Sequence, residues 1–224
     1  MQIAADLTQV RQVIGEAYKV LLVAQDNENK DTVTGLHILA AVMTGNGKDV
    51  YLSPAENEHQ PVPERSATVR FNYEGKKIER LQYKIQEDTV ELTFTPFTGS
   101  LAPENINIEY RPFDIDLLIA IGIKDRSDLP TDVLAHQLDF EAITTVNIDN
   151  HRDNTMWGTL NVIMHDMPLL SLLVVEVLQE IGYDVPRHWK QLAMVETKER
   201  LPQVGNATPR LLRLVADLAE TPDS

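Results

Sequence analysis

Cysteine is missing from all 224 residues, and that one absence excludes thiolate zinc centres, iron–sulfur clusters, disulfides and a cysteine nucleophile. Long apolar runs are missing too. LLSLLVVEVL is interrupted by Glu176 and falls far short of the ~20 residues that a membrane span requires. The opening MQIAADLTQVRQVIGEAYK reads as an amphipathic helix and lacks the basic start, apolar middle and small-residue cleavage site of a secretory signal. A cytoplasmic protein with no membrane association is therefore expected. Basic charge is scarce: 20 Lys and Arg stand against 34 Asp and Glu, a formal net charge of −14. Such a surface repels a phosphate backbone, which argues against a nucleic-acid partner. Also absent are a Gly-rich phosphate loop with Lys, a G-x-G-x-x-G turn, a G-x-S-x-G elbow and an H-E-x-x-H helix.

What is present is long enough to bury a substantial core. KVLLVA and DIDLLIAIGI are apolar runs of the kind found in parallel strands buried on both faces, and AITTVNID reads as another strand. DVYLS is a further short strand, and WGTLNVIM an edge strand. TVTGLHILAAVMT carries Val33, Leu36, Ile38, Leu39 and Val42 at mostly helical spacing before the Gly45 and Gly47 stop. LPTDVLAHQL reads as a short helix. PLLSLLVVEVLQEIG has Pro168 at its start and Gly182 just past its end, and TPRLLRLVADLAE opens with Thr and Pro. Strand and helix in alternation imply an α/β fold with a doubly wound, mainly parallel sheet.

The stretch of about 66–96 breaks this rhythm. Val69, Phe71 and Tyr73, then Leu81, Tyr83 and Ile85, then Val90, Leu92 and Phe94 alternate with polar residues. These are expected to be antiparallel strands with one wet face, turning at Glu74-Gly75 and Glu87-Asp88 and inserted into a single domain that spans 1–224.

Ligands of such sheets bind beyond the carboxyl ends of the strands. That gathers the loops Gln25–Asp31, Gly122–Asp128 and Asp149–Asn154. In VNIDNHRDNTMWGTLNV, an Asp and a His leave the end of a buried strand together. This run resembles the third motif of the DHH phosphoesterases, a strand ending in Asp-His-His followed by Asn, Gly and Asn. Asp149, His151, Asn154, Gly158 and Asn161 match, and Asn150 stands at the first His. KVLLVAQDNENKDTVTG resembles the first motif, with Asn27 and Asp31 matching while Gln25 and Asn29 replace a His and an Asp. In DLLIAIGIKDRSDL, similar to the second motif, Gly122 occupies the place of an Asp. NATPRLLRLVADL is similar to the family's Asn-Thr-Thr-Pro-Arg helix start. Counting back puts Lys198 where a fourth Asp belongs, or Glu199 with a one-residue gap.

In that family the Asp and His side chains hold two divalent cations, usually manganese, for hydrolysis of phosphodiesters or phosphoanhydrides. Two such cations need several anionic ligands to offset their mutual repulsion. The resemblance leaves Asp31 and Asp149 as vestigial metal ligands and Asp149 and His151 as vestigial catalytic residues. No resident cofactor is then expected, with manganese or magnesium if the protein is active. Lys198 is expected to place an ammonium where a cation would be. The family's substrate-binding second domain has no expected counterpart. The reading is a catalytically impaired relative that serves as a binding, regulatory or assembly module, partnered by a protein or a second copy. The alternative is a manganese-dependent phosphoesterase acting on short oligonucleotides or nucleotides, and a small phosphorylated ligand fits either.

Individual residues also have ordinary readings. Asp31 can be an N-cap or first-turn acid, and His151 a hydrogen-bonded histidine at a strand end. His37 and His165 are read as ordinary residues, Trp157 as packing, and Trp189 as either packing or anchoring a partner.

Overall fold

A computed structural model of the protein describes residues 6–25, 29–53, 66–71, 78–86, 89–96, 106–111, 115–135, 138–200 and 209–219. The chain divides into two compact units, one built from residues 1–64 and 113–224 and the other from Arg65–Pro112.

The larger unit begins with α1 (Leu7–Glu16), β1 (Lys19–Ala24), α2 (Lys30–Gly45) and β2 (Asp49–Ser53). It resumes with β7 (Leu117–Ile121), a 3-10 turn at Arg126–Asp128, α3 (Thr131–Ala135), β8 (Thr144–Asp149) and β9 (Leu160–Ile163). Three helices close it: α4 (Leu170–Glu180), α5 (Arg187–Arg200) and α6 (Pro209–Ala219). The strands hydrogen-bond in the order β2-β1-β7-β8-β9, every pair parallel. From β1 the chain steps outward to β2 and then back across to β7, so the order reverses between β1 and β7. That reversal is the switch point where a doubly wound sheet places ligands.

The central strands are apolar on both faces because both are covered. Val20, Leu22, Leu117, Ile119, Val146 and Ile148 join a core with α1, α2, α4, α5 and α6. Leu21, Val23, Leu118 and Ala120 join a smaller one with Leu129, Val133 and Trp157. A continuous apolar run such as LLIAI is stable only in such a sandwich. At the opposite end of the sheet, Lys48 Nζ donates to Ala17 O at 2.5 Å, closing the C-terminus of α1. Burial holds the Lys48 pKa below its usual value, opposed by the charge of Asp116.

Several expectations are met with shifted ends. The helix expected from Thr32 starts at Lys30, because Asn29 caps it by accepting from Asp31 N at 3.2 Å. The edge strand expected from Trp157 starts at Leu160 and does lie at the sheet edge. No helix among the described residues is long and apolar enough to cross a membrane.

The smaller unit contains β3 (Ser66–Phe71), β4 (Ile78–Gln86), β5 (Thr89–Pro96) and β6 (Ile106–Arg111). A turn at Glu74-Gly75 was expected to pair β3 with β4. Instead β3 pairs antiparallel with β6, a strand the sequence reading did not anticipate, and β4 pairs with β5. The register explains the choice: Val69 lies opposite Ile108 and Phe71 opposite Ile106, so the alternation of β3 meets a matching alternation. The turn residues at 74–75 and 87–88 lie outside the described residues. The expected single wet face is also corrected, since both faces of β4 are exposed.

Candidate functional site

Asp149 ends β8 and is fully buried. Alternation along β8 sets Thr145, Asn147 and Asp149 on the face opposite Val146 and Ile148. Its Oδ1 accepts from the Asn150 amide at 2.8 Å and from His151 Nδ1 at 2.7 Å. Its Oδ2 accepts from Asn154 Nδ2 at 2.6 Å. The same Asn154 nitrogen reaches Ile123 O at 3.2 Å, the carbonyl that also receives the Trp157 indole at 3.0 Å. An ionised carboxylate can only accept, so a proton on His151 Nδ1 faces it and Nε2 points away from the pair. The His151 side chain is about half exposed (47%), so this imidazole links the buried charge to solvent.

The loop after Asp149 is held by the remaining motif residues. Asn154 Oδ1 accepts from Met156 N at 2.7 Å, and Asn161 Nδ2 donates to Met156 O at 3.1 Å and to Gly158 O at 2.7 Å. Between these clamps Met156 sits at φ 56°, alone among the described non-glycine residues in having a positive φ. Such a conformation costs ~1 kcal/mol or more and persists where surrounding bonds over-determine it. Gly158 is needed for close approach, because a Cβ there would stand 3.1 Å from the Asn147 Cβ and 3.2 Å from its amide. A second tie runs to the loop after β7: Thr155 N donates to Lys124 O at 2.8 Å, and Lys124 pairs with Asp153 at 3.2 Å.

Asp31 has a different surrounding. It lies in the first turn of α2, 3% exposed, and its carboxylate crosses to the start of α4. Oδ2 accepts from Leu170 N at 2.7 Å, and Oδ1 accepts from Ser171 N at 3.0 Å and Ser171 Oγ at 2.5 Å. Leu169, at the N-cap position of α4, makes no side-chain cap bond, so the cap comes from another helix. The same turn of α4 fills the second-motif position. Gly122 has φ +68°, and a Cβ on it would stand 2.7 Å from Leu170 Cδ1. The space between Asp31 and Gly122 thus holds a leucine.

The other expected positions divide in the same way. Gln25 follows β1 and is exposed. Asn29 is the cap of α2. Asn150 Nδ2 donates to Met167 O at 2.9 Å, in the segment leading to α4. Lys198 and Glu199 fall in the last turn of α5, and their side chains, like Asn27, lie outside the described residues. Among the described residues, no three His, Asp or Glu side chains are grouped as metal ligands. His165, read as ordinary, comes beside Asn150, with Nδ1 3.4 Å from its carbonyl. Trp189 packs against the larger core and contacts the rings of His37 and His188. The sequence reading missed Met156 and Lys124. The Asn154 and Asn161 spacing around Met156 was the available signal for the first.

The larger unit is an α/β fold on a five-stranded parallel sheet. The chain has a structural likeness to an exopolyphosphatase-related protein from Bacteroides fragilis, with a TM-score of 0.60 at 10% identity. The match covers 97% of this chain and 57% of that one. At that identity the likeness speaks for the fold alone. No family model and no curated protein matches the chain.

Proposed function

We propose that this chain is a DHH-like phosphoesterase relative whose metal centre has been replaced by internal contacts, and that it acts as a binding, regulatory or assembly module. The observation that carries this reading is the commitment of Asp31. Both of its oxygens are taken by the start of α4, and Leu170 covers the glycine where a further ligand would stand. The donor chemistry supports it. Gln25, Asn29 and Asn150 offer neutral oxygens in place of imidazole and carboxylate, and Gly122 offers none. A pair of divalent cations does not fit that set. The first amides of α4 are equally engaged, which argues against their receiving the phosphate of a nucleotide. A protein partner or a second copy remains the expected ligand, in a cytoplasmic setting carried over from the sequence alone.

The Asp149–His151 pair favours one competing reading, a manganese-dependent phosphoesterase, because its imidazole is held by the buried carboxylate and reaches solvent. Thermal unfolding with and without manganese, beside a phosphodiester cleavage assay, separates the two. A protein that binds metal in its native state is stabilised by linkage. The expected result is no shift and no cleavage. Manganese-dependent stabilisation and cleavage that both vanish in Asp149→Ala would overturn the proposal.

A further inference from the structure

The β4–β5 hairpin presents a largely apolar face with no charged residue along its centre. The register sets Leu81 opposite Phe94, Tyr83 opposite Leu92 and Ile85 opposite Val90, so these side chains share one face. A slip between Ile78 and Arg80 brings Ile78 opposite Pro96, on the same side. Lys84 and Glu91 pair on the other face, beside Gln82 and Thr93. Leu81, Tyr83, Ile85 and Val90 are 58, 74, 71 and 63% exposed, and Leu92 and Ile78 are each 43% exposed. A two-stranded sheet is marginal in water, so a face of this kind calls for a cover.

We infer that the cover is a second copy of this chain, packed face to face on the β4–β5 hairpin about a two-fold axis. Two observations favour a copy over a different partner. The unit Arg65–Pro112 has seven Lys or Arg and seven Asp or Glu, so the formal charge of −14 falls entirely on the rest of the chain. Two such chains repel each other except where local charge cancels, and this unit, taken as a whole, is such a place. The second is area. The six residues expose at most about 700 Å² per copy, backbone included, so a fully self-packed face removes up to about 1,400 Å², which reaches the range of a stable interface. A two-fold interface uses the same patch twice and needs no second complementary surface.

This deepens the assembly role proposed above and rests on that reading only for its purpose; a dimer is found or missed whether or not the strand ends bind metal. Light scattering across a concentration series tests it on the unmodified chain, and a dimer is expected. Tyr83→Glu should shift it to monomer with an unchanged circular dichroism spectrum. The chain has no cysteine, so a single introduced thiol reports without background. Tyr83→Cys, in the central pair, should oxidise to a covalent dimer, and Gln82→Cys, on the opposite face, should not. A monomer at every concentration would overturn the inference and leave the face covered by this chain or by another protein. So would a dimer that survives Tyr83→Glu and shows no preference between the two thiols.

Discussion

Asp31 and Asp149 are both buried, both stand in runs that resemble phosphoesterase motifs, and each accepts three hydrogen bonds. Their partners differ in kind. Asp31 holds two backbone amides and a hydroxyl at the start of a helix, all inside the protein. Asp149 holds a loop amide, a loop asparagine and an imidazole that is half exposed. The first carboxylate is part of the frame, because it caps the positive end of α4. The second still communicates with solvent. Two buried carboxylates can thus serve differently, one by holding the fold together and the other in a chemically usable geometry.

The largest expected effect tests the first half of that contrast. Asp31→Ala leaves two buried amides and a hydroxyl without acceptors, and should cost about 4 kcal/mol of stability. Asp31→Asn keeps one acceptor and should cost about half as much. Chemical denaturation measures both. A loss under ~1 kcal/mol in Asp31→Ala would mean that α4 does not depend on this cap.

Placing a carboxylate at Gly122 sharpens the same point. Gly122→Asp introduces a Cβ into Leu170 at a positive φ, and should destabilise by about 3 kcal/mol. Adding Leu170→Ala removes the collision but not the backbone strain. The double variant should therefore lose less than the sum of the two single losses, by about 1 kcal/mol. Strict additivity in denaturation measurements would show that the leucine does not occupy the glycine's space.

These contacts also mark where the sequence was readable. β1, β7 and β8 were legible because burial on both faces leaves continuous apolar runs, and the loops they gather followed from sheet topology. The Asn154 and Asn161 spacing was visible as a motif, though its role as a clamp on Met156 was not. Asp31 was readable only as a first-turn acid of its own helix, since its partners lie 139 and 140 residues away. α5 escaped notice because it is rich in polar residues, and among its described side chains Ala193 and Thr197 are buried while Trp189 and Met194 are half-buried. β6 was missed because its partner β3 is distant in sequence and no local turn joins them. Long-range partners leave no periodicity in the chain, and that is the common cause.

The second half of the contrast predicts unequal effects within one loop. Asn154→Ala strips Asp149 Oδ2 of its donor and releases Met156 N, and should cost about 2 kcal/mol. His151→Ala removes a half-exposed partner and should cost about 1 kcal/mol or less. Equal losses would mean that the imidazole is as structural as the asparagine.

The smallest effect concerns the charges that fasten this loop to its neighbour. The Lys124 ammonium, hydrogen-bonded to Asp153, holds the Asp153 pKa below its usual value, and Asp153 raises that of Lys124. A lowered carboxylate pKa stabilises above the unfolded value and loses that contribution as pH falls through the folded one, here below about 4. A raised lysine pKa stabilises below its unfolded value and loses that contribution as pH rises through the folded one, above about 10.5. The pair therefore acts fully between those limits. Both groups are exposed, so solvent and salt screen them, while the Thr155 amide and the Asn154 side chain still hold the loop. Asp153→Ala should lower the melting temperature least of all these variants, and the difference should vanish in about 1 M salt. A drop as large as that of Asn154→Ala, or one indifferent to salt, would show that this loop is not fastened chiefly by its asparagine and backbone bonds.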